Sequence, residues 1–203
     1  MKKTLLIIGL TIFTFTTVNA QKRFDFGVKG GINFSNMTSD YFAENDSKTG
    51  FYIGLVAEIP FSDKFSIQPE IFYSTLGADV KIMLYGGGPL LTEYSLDYIL
   101  VPILAKVYLS NNWSIEFGPS FNFLINGEAY RPTLPDVIDG NEIIQQKYKD
   151  ANGNSFEFSG VLGVSYKFKG DFFGSVRYFQ GLTDSIETDT KNNGFQLGIG
   201  FMF

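Results

Sequence analysis

The chain has 203 residues, with 22 Phe, 11 Tyr and one Trp, 16 basic and 21 acidic residues, and neither cysteine nor histidine. This length indicates one domain, and the missing residue types exclude disulfides, thiolate or imidazole nucleophiles and metal sites that need such ligands. The net charge of -5 argues against a nucleic-acid partner, because phosphate binding needs clustered Lys and Arg.

Residues 1–20 have the pattern of a signal peptide. Two lysines follow Met1, residues 4–17 are mostly apolar, and Val18-Asn19-Ala20 is a small-residue cleavage site. The apolar stretch is shorter than the ~20 residues of a spanning helix, which disfavours an uncleaved anchor. Gln21 follows instead of Cys, so no lipid anchor is indicated. We therefore expect an exported protein, cleaved after Ala20, with a single domain over residues 21–203.

The mature chain alternates apolar with polar or small residues, which predicts strands with unlike faces. In the first such segment Phe24, Phe26, Val28, Ile32 and Phe34 are separated by polar residues and glycines. Six clear segments lie at 24–35, 51–59, 65–73, 113–125, 156–168 and 195–203. Residues 94–108 and 172–182 are strand-like but apolar on both faces over part of their length. The pattern predicts eight strands.

The connections alternate in length. Polar segments at 36–48, 77–92, 127–154 and 183–193 are long, whereas 60–64, 109–112 and 169–171 are tight turns rich in Pro, Asn, Asp and Gly. This order predicts an up-and-down meander with the long loops at one end and both termini at the other. The asymmetry is typical of outer-membrane barrels, with short periplasmic turns and longer external loops.

The residues on the two strand faces indicate which face points outward. A soluble barrel of the lipocalin kind would enclose its apolar face around a ligand. Here the charges of the six clear strands share one face with many Gly and Ser residues, while the other face carries bulky Phe, Ile and Leu. Small residues suit a crowded lumen, and a continuous apolar exterior suits lipid. Lipid offers no hydrogen-bond partners for the unpaired N–H and C=O groups of an open sheet edge, so the sheet is expected to close. We predict an all-β, eight-stranded antiparallel up-and-down transmembrane β-barrel.

The lumen of such a barrel is expected to contain a charge network. Lys106 and Arg177 are assigned to it on the assumption that they point inward on the two less clear strands. The predicted members are Lys29, Glu58, Glu70, Lys106, Glu116, Glu157, Lys167 and Arg177. Buried charges are costly unless they are paired. One interpretation is a packed polar network, and the other is a wet path for small ions. The interior of about eight strands is narrow enough to be filled by side chains, which favours the first.

Aromatic residues and prolines give further predictions for the strands. Aromatic girdles are expected from Trp113, Phe65 and Phe172 on the periplasmic side and from Tyr73, Tyr94 and Tyr178 on the outer side. Pro69, Pro102 and Pro119 each remove a ladder hydrogen bond, which predicts a bulge or a local opening. Asp97 and Lys106 have opposite parity, so both point inward only if the fourth strand switches faces, and Pro102 is the expected place.

Several motifs follow one another along the mature chain. They are Gln68-Pro69-Glu70-Ile71-Phe72-Tyr73-Ser74 with Gly77, Tyr98-Ile99-Leu100-Val101-Pro102-Ile103-Leu104-Ala105-Lys106, Gly118-Pro119, and Arg177-Tyr178 with Gly181-Leu182. In this order they resemble the PorT-like outer-membrane β-barrel family of Gram-negative bacteria, which carries a "porin family" label. The closing run is similar to the signal read by the barrel-assembly machinery, with its alternate residues Phe195, Leu197, Ile199, Phe201 and Phe203. The resemblance implies this fold in the outer membrane. It implies little about activity, because the family groups proteins with varied or unknown roles, including one tied to a secretion system.

Motifs for chemistry are weak. The glycines at 86–88 lack the Lys-Ser/Thr of a phosphate loop, and residues 150–154 lack the later ligands of a calcium loop. Outer-membrane hydrolases of similar architecture use a catalytic histidine, so we expect no enzyme and no cofactor. A carboxylate-only enzyme using Asp136, Asp139 and Glu142 is a remote alternative. Residues 141–149 are predicted to form a short helix or a strand extension that contacts a partner.

Three hypotheses for function follow. The first is a structural or interaction scaffold in the cell outer membrane, which contacts lipid, the barrel-assembly machinery and a surface or secretion partner through its long loops. The second is a narrow transport element for small solutes or ions. The remote third is a soluble lipocalin-like carrier.

Overall fold

The computed structural model describes residues 24–39, 42–83, 89–132, 145–148, 155–185 and 190–203. The expected signal peptide, the glycines at 86–88, the segment 150–154 and the acids Asp136, Asp139 and Glu142 lie outside these residues. No helix with the length and apolar character needed to cross a bilayer occurs in the described part of the chain.

The described residues form nine strands. They are β1 (Asp25–Thr38), β2 (Phe42–Ser62), β3 (Phe65–Met83), β4 (Pro89–Tyr108), β5 (Trp113–Pro132), β6 (Gln145–Tyr148), β7 (Phe156–Lys167), β8 (Phe172–Gly181) and β9 (Lys191–Met202). All paired neighbours are antiparallel. The tight turns predicted after the second, fourth and sixth barrel strands lie between β2 and β3, β4 and β5, and β7 and β8.

The sheet closes on itself. β1 pairs with β2 on one side and with β9 on the other, so that Gly30 lies opposite both Ile53 and Ile199. The remaining barrel pairs are β2–β3, β3–β4, β4–β5, β5–β7, β7–β8 and β8–β9. This confirms the predicted closed barrel of eight strands. The short β6 is a strand extension that, among the described strands, pairs with the end of β5 alone, as in Ala129↔Tyr148.

Strands β2 to β5 are longer than the sequence pattern indicates. They contain 19 to 21 residues, whereas β1, β7, β8 and β9 contain 10 to 14. Most of the predicted loops 36–48 and 77–92 is therefore strand, and those predictions were wrong. About 9–11 residues suffice to cross the bilayer. The excess forms a projecting sheet, which consists of residues 42–50, 75–83, 89–97 and 124–132 together with β6.

Two register shifts mark the level at which the projecting sheet begins. In β5, Asp97↔Asn126 is followed by Tyr98↔Leu124, so Ile125 is an extra residue. In β2, the register with β3 shifts between Ser47 and Tyr52. Both irregularities lie beside the row that contains Thr75 and Asp97. Bulges of this kind bend a strand and re-aim its side chains.

The predicted faces hold along the membrane-crossing parts of the strands. Phe26, Leu55 and Ile199 are 60%, 58% and 59% exposed on the outer wall, while Lys29 and Glu116 are 2% and 1% exposed on the inner wall. Exposed Phe, Leu and Ile form a continuous band around the barrel. A continuous apolar band of this kind suits the hydrocarbon region of a bilayer, whereas in water it would be a large exposed apolar patch.

Two predictions for β4 were wrong. Tyr94 is 2% exposed and lies in the interior, so it cannot belong to an outer aromatic girdle. The same inward parity continues through Pro102 to Lys106, without a change of face, and Asp97 therefore points outward to the amide of Asn126 at 3.1 Å. At the prolines the ladder opens instead: pairing stops at Pro69↔Ile103 and resumes at Phe72↔Leu100 in the same register.

Candidate functional site in the barrel lumen

Glycines on the inner wall make room for the large side chains that fill the lumen. A Cβ atom at Gly163 would lie 2.6 Å from Cγ of Arg177, and one at Gly198 would collide with the hydroxyl of Tyr52. Both glycines face a bulky residue on a neighbouring or nearby strand. The small residues on this face therefore leave the space that the side chains of Arg177 and Tyr52 occupy.

Arg177 on β8 is the centre of the lumen. Its side chain is 1% exposed and spans two carboxylates. Nη1 and Nη2 donate to Glu70 at 2.5 and 2.7 Å, and Nε and Nη2 donate to Glu116 at 2.8 and 3.0 Å. Each carboxylate receives two hydrogen bonds from the planar fork of the guanidinium, which is the strongest geometry available to such a pair. The cluster ties β3, β5 and β8 together across the barrel.

A second cluster surrounds Glu58 nearer the tight turns. Glu58 accepts hydrogen bonds from Lys106 at 2.9 Å, from Ser66 at 2.8 Å and from the hydroxyl of Tyr108. Lys106 also donates to Gln68 at 3.0 Å, and Gln68 donates to Glu70 at 2.6 Å. Gln68 therefore joins the two clusters. We call the joined set the lumen network, with the members Glu58, Lys106, Gln68, Glu70, Arg177 and Glu116.

Lys29 lies beside the lumen network without an ion pair in the described part of the chain. Its side chain is buried, and its ammonium has no hydrogen-bond partner there. The ammonium lies 5.9 Å from each of three ring centroids, those of Tyr52, Phe72 and Phe173. Attraction to the ring faces stabilises a cation in such a cage.

Glu157 and Lys167 also lie outside the lumen network. Glu157 is buried higher in the barrel and accepts hydrogen bonds from Asn192 at 2.7 Å, Ser159 at 3.2 Å and Tyr98 at 3.4 Å. It forms no ion pair with another described residue. Lys167 is exposed at the tight-turn end. The structure thus brings together five of the eight predicted charges, and it leaves Lys29, Glu157 and Lys167 in separate environments.

The sequence-based set omitted Gln68 and Tyr108. Gln68 could have been found, because it occupies the inner parity between Ser66 and Glu70 on β3. Tyr108 ends a strand whose faces were ambiguous, and no pattern indicated that its hydroxyl would reach Glu58. Both residues are neutral partners of buried charges, which a search restricted to ionisable residues does not detect.

The upper lumen contains an apolar cluster beside buried polar residues such as Asn122, Glu157 and Asn192. The buried residues there include Leu76, Ala78, Val80, Leu96, Leu100 and Phe179, with Tyr94 and Tyr98. The cavity between this core and the guanidinium of Arg177 measures only about 10 Å³, room for one water molecule at most. A much larger cavity of about 230 Å³ opens at the tight-turn end. Among the described residues no group of three acidic residues is placed to hold a metal ion.

The outer face of the projecting sheet is acidic. Asp46, Asp79 and Glu93 are directly opposite one another on β2, β3 and β4, and all three are exposed. Partial burial and the neighbouring carboxylate of Glu93 raise the pKa of Asp79. Lys48 crosses β3 over Gly77 to reach Glu93 at 2.6 Å. One lysine therefore partly offsets a row of three carboxylates.

Outward residues of β9 and the adjoining Phe203 form the last part of the apolar band. They are Phe195, Leu197, Ile199, Phe201 and Phe203. The amide of Phe203 donates to the carbonyl of Phe26 at 2.6 Å, so the end of the chain completes the seam between β9 and β1.

Comparisons with known proteins agree on the kind of barrel. The model of a family described as "Outer membrane protein beta-barrel domain" matches residues 19–187. No curated protein matches the chain. Ail, the attachment invasion locus protein of Yersinia pestis, solved with the heparin analogue sucrose octasulfate, is 13% identical with a TM-score of 0.54, covering 89% of this chain and 99% of Ail. Neisserial surface protein A is 14% identical with a TM-score of 0.52, covering 88% and 97%. At these identities the likeness shows the fold.

Proposed function

Because the chain belongs to the outer membrane protein β-barrel domain family, we propose that this outer-membrane β-barrel is an interaction scaffold with a closed lumen. Its projecting sheet and loops contact a protein at the cell surface or in a secretion system, as the PorT-like resemblance implies. The expected signal peptide and the tight turns orient it with both termini in the periplasm. The outward residues of β9 together with Phe203 are proposed as the signal for barrel assembly.

The observation that carries this proposal is the closure of the lumen. Arg177 is bonded to two carboxylates, one on β3 and one on β5, and apolar and polar side chains together fill the space above it. An ion would have to break a buried, four-bonded guanidinium cluster and then pass a filled upper lumen whose cavity measures only about 10 Å³. Both steps are unfavourable. If the lumen is closed, the function of the barrel depends on contacts made by its surface.

The projecting sheet supports a protein partner with a basic surface. Its three opposed carboxylates present negative charge above the membrane, and complementary charge favours encounter and specificity. The Ail structure contains a heparin analogue, which is a polyanion. The acidic row of this chain would repel such a ligand, so a sulfated polysaccharide is not the partner that we propose.

Planar-bilayer recording tests the closed lumen. We expect the refolded barrel to show no steady conductance, because the Arg177 cluster and the apolar core block the axis, while a 16-stranded porin recorded in the same lipid conducts. The variants Glu70→Gln and Glu116→Gln provide the comparison. Steady conductance that changes with either variant would contradict the scaffold. It would favour the second hypothesis, a narrow transport element in which the ionisable residues of the lumen network line the path of the ion.

The orientation is tested with single cysteines, since the chain has none of its own. Glu93→Cys lies on the projecting sheet and Ser110→Cys lies in the tight turn between β4 and β5, and both positions are exposed. A membrane-impermeant maleimide is expected to label the first but not the second in intact cells, and both after lysis. If only Ser110→Cys were labelled in intact cells, the barrel would have the opposite orientation to the one proposed.

A further inference from the structure

The cavity at the tight-turn end is a dead-end vestibule of the lumen. Its volume is about 230 Å³, and its wall comes from seven of the eight barrel strands. Phe173, Glu58 and Lys106, all buried, form its inner end. Asn112, Lys167 and Asp171, all exposed, form its mouth. Glu58 and Lys106 belong to the lumen network, whose other members close the barrel above them, so a solute can enter and leave only through the mouth.

The charges at the inner end of the vestibule already neutralise each other. The Lys106 ammonium donates to Glu58 at 2.9 Å, and Glu58 also accepts hydrogen bonds from two hydroxyl groups. The side wall contributes Ser114 and Ser165, whose hydroxyl groups lie 2.7 Å apart. Each hydroxyl has one donor and two acceptor positions, so this pair retains capacity for a solute.

The mouth carries one cation and one anion that are not paired. Neither the ammonium of Lys167 nor the carboxylate of Asp171 forms an ion pair or a side-chain hydrogen bond with another described residue. The two residues lie four positions apart on the β7–β8 hairpin, and both line the same cavity. They do not bond to each other, although both are at the rim. A molecule that carries both charges can lie between them.

We propose that the vestibule binds a small zwitterion of amino-acid size, with its carboxylate on Lys167, its ammonium on Asp171 and its remaining polar groups on the serine pair. The volume of the vestibule is about 230 Å³. It is below the ~300–1,000 Å³ of pockets for drug-sized ligands, which limits the ligand to a small solute. With the orientation of the proposed function the site faces the periplasm, whereas binding itself does not depend on that orientation.

Titration of the ¹⁵N-labelled barrel in detergent micelles tests this site. The probes are L-alanine, propionate, ethylammonium and glycerol, which separate the zwitterion from either charge alone and from a neutral polyol. We expect saturable amide shifts around Lys167, Asp171 and Ser165 with L-alanine, at millimolar dissociation constants because exposed charge pairs contribute weakly. Shifts that do not saturate, or that are equal for all four probes, would overturn the proposal.

Charge-removing variants locate the site on the hairpin. Lys167→Met and Asp171→Asn are each expected to weaken L-alanine binding about fivefold, in line with an exposed ion pair. Lys169→Met is the matched control, because it removes an exposed lysine of the same turn that does not line the cavity. Ser165→Phe should abolish binding by filling the space, and heat-modifiable gel mobility verifies its folding. Unchanged affinity in both charge variants, or an equal loss in the control, would show that the mouth binds nothing.

Discussion

Replacement of Arg177 by methionine is expected to lower the free energy of unfolding by about 3–5 kcal/mol. The reason is that Glu70 and Glu116, buried at the centre of the barrel, would each lose two charge-assisted hydrogen bonds and remain as uncompensated anions. Urea unfolding in lipid vesicles measures the change, with fluorescence of the single Trp113 as the probe.

Two further variants separate the buried cluster from ion pairing in general. Lys48→Met breaks the Lys48–Glu93 pair on the projecting sheet, where Glu93 is half exposed, and should cost less than about 1 kcal/mol. Combining Arg177→Met with Glu70→Gln and Glu116→Gln removes the stranded charges, so we expect this triple variant to be more stable than Arg177→Met alone. If the single variant were as stable as the unmodified barrel, the lumen network would not hold the wall together.

Arginine in place of Leu55 or Leu197 is expected to destabilise the barrel by about 2–4 kcal/mol in a lipid bilayer, since a charge near the bilayer midplane is poorly solvated. Both leucines lie on the outer wall, where they are 58% and 50% exposed. Unfolding titrations in vesicles give the difference in free energy between each variant and the unmodified barrel.

Leu109→Arg is the matched control for these substitutions. Leu109 is also an exposed leucine, at 65%, but it lies in the tight turn after β4 and not in the apolar band. Near the interface the cost of arginine falls to about 0–1 kcal/mol. Equal effects at Leu55 and Leu109 would mean that the exposed apolar band is not the lipid-facing surface.

The fold could be predicted because six of the eight membrane-crossing strands alternate clearly between large apolar and small or polar residues. Along β1 and β9 the large residues of one parity, such as Phe26 and Ile199, meet lipid, and the small residues of the other parity meet the lumen. Lipid imposes this contrast along the whole crossing segment. Above the membrane the contrast is no longer required. Residues 42–47 therefore have the composition of a polar loop, although backbone pairing with β3 holds them as a strand.

The sequence could predict most of the residues that face the lumen, but not which of them bond to one another. Parity on β3 and β5 places Glu70 and Glu116 inside, yet nothing local indicates that one arginine on β8 binds both. Lys29 has the same parity signal as these acids, but Tyr52, Phe72 and Phe173 enclose it instead of a carboxylate. The error at Asp97 has a similar origin, because it assumed that a proline reverses the strand, whereas β4 opens its ladder at Pro102 and keeps its register.

By itself the sequence determined a closed barrel with an apolar exterior, since side-chain alternation is a local property and lipid allows no open edge. Only the tertiary structure decided which charges pair, how far β2 to β5 project and where the lumen remains open. Those features depend on side chains from strands distant in sequence meeting across a narrow interior, as Arg177 meets Glu70 over 107 positions. The periodicity of one strand gives no information about contacts between side chains on different strands.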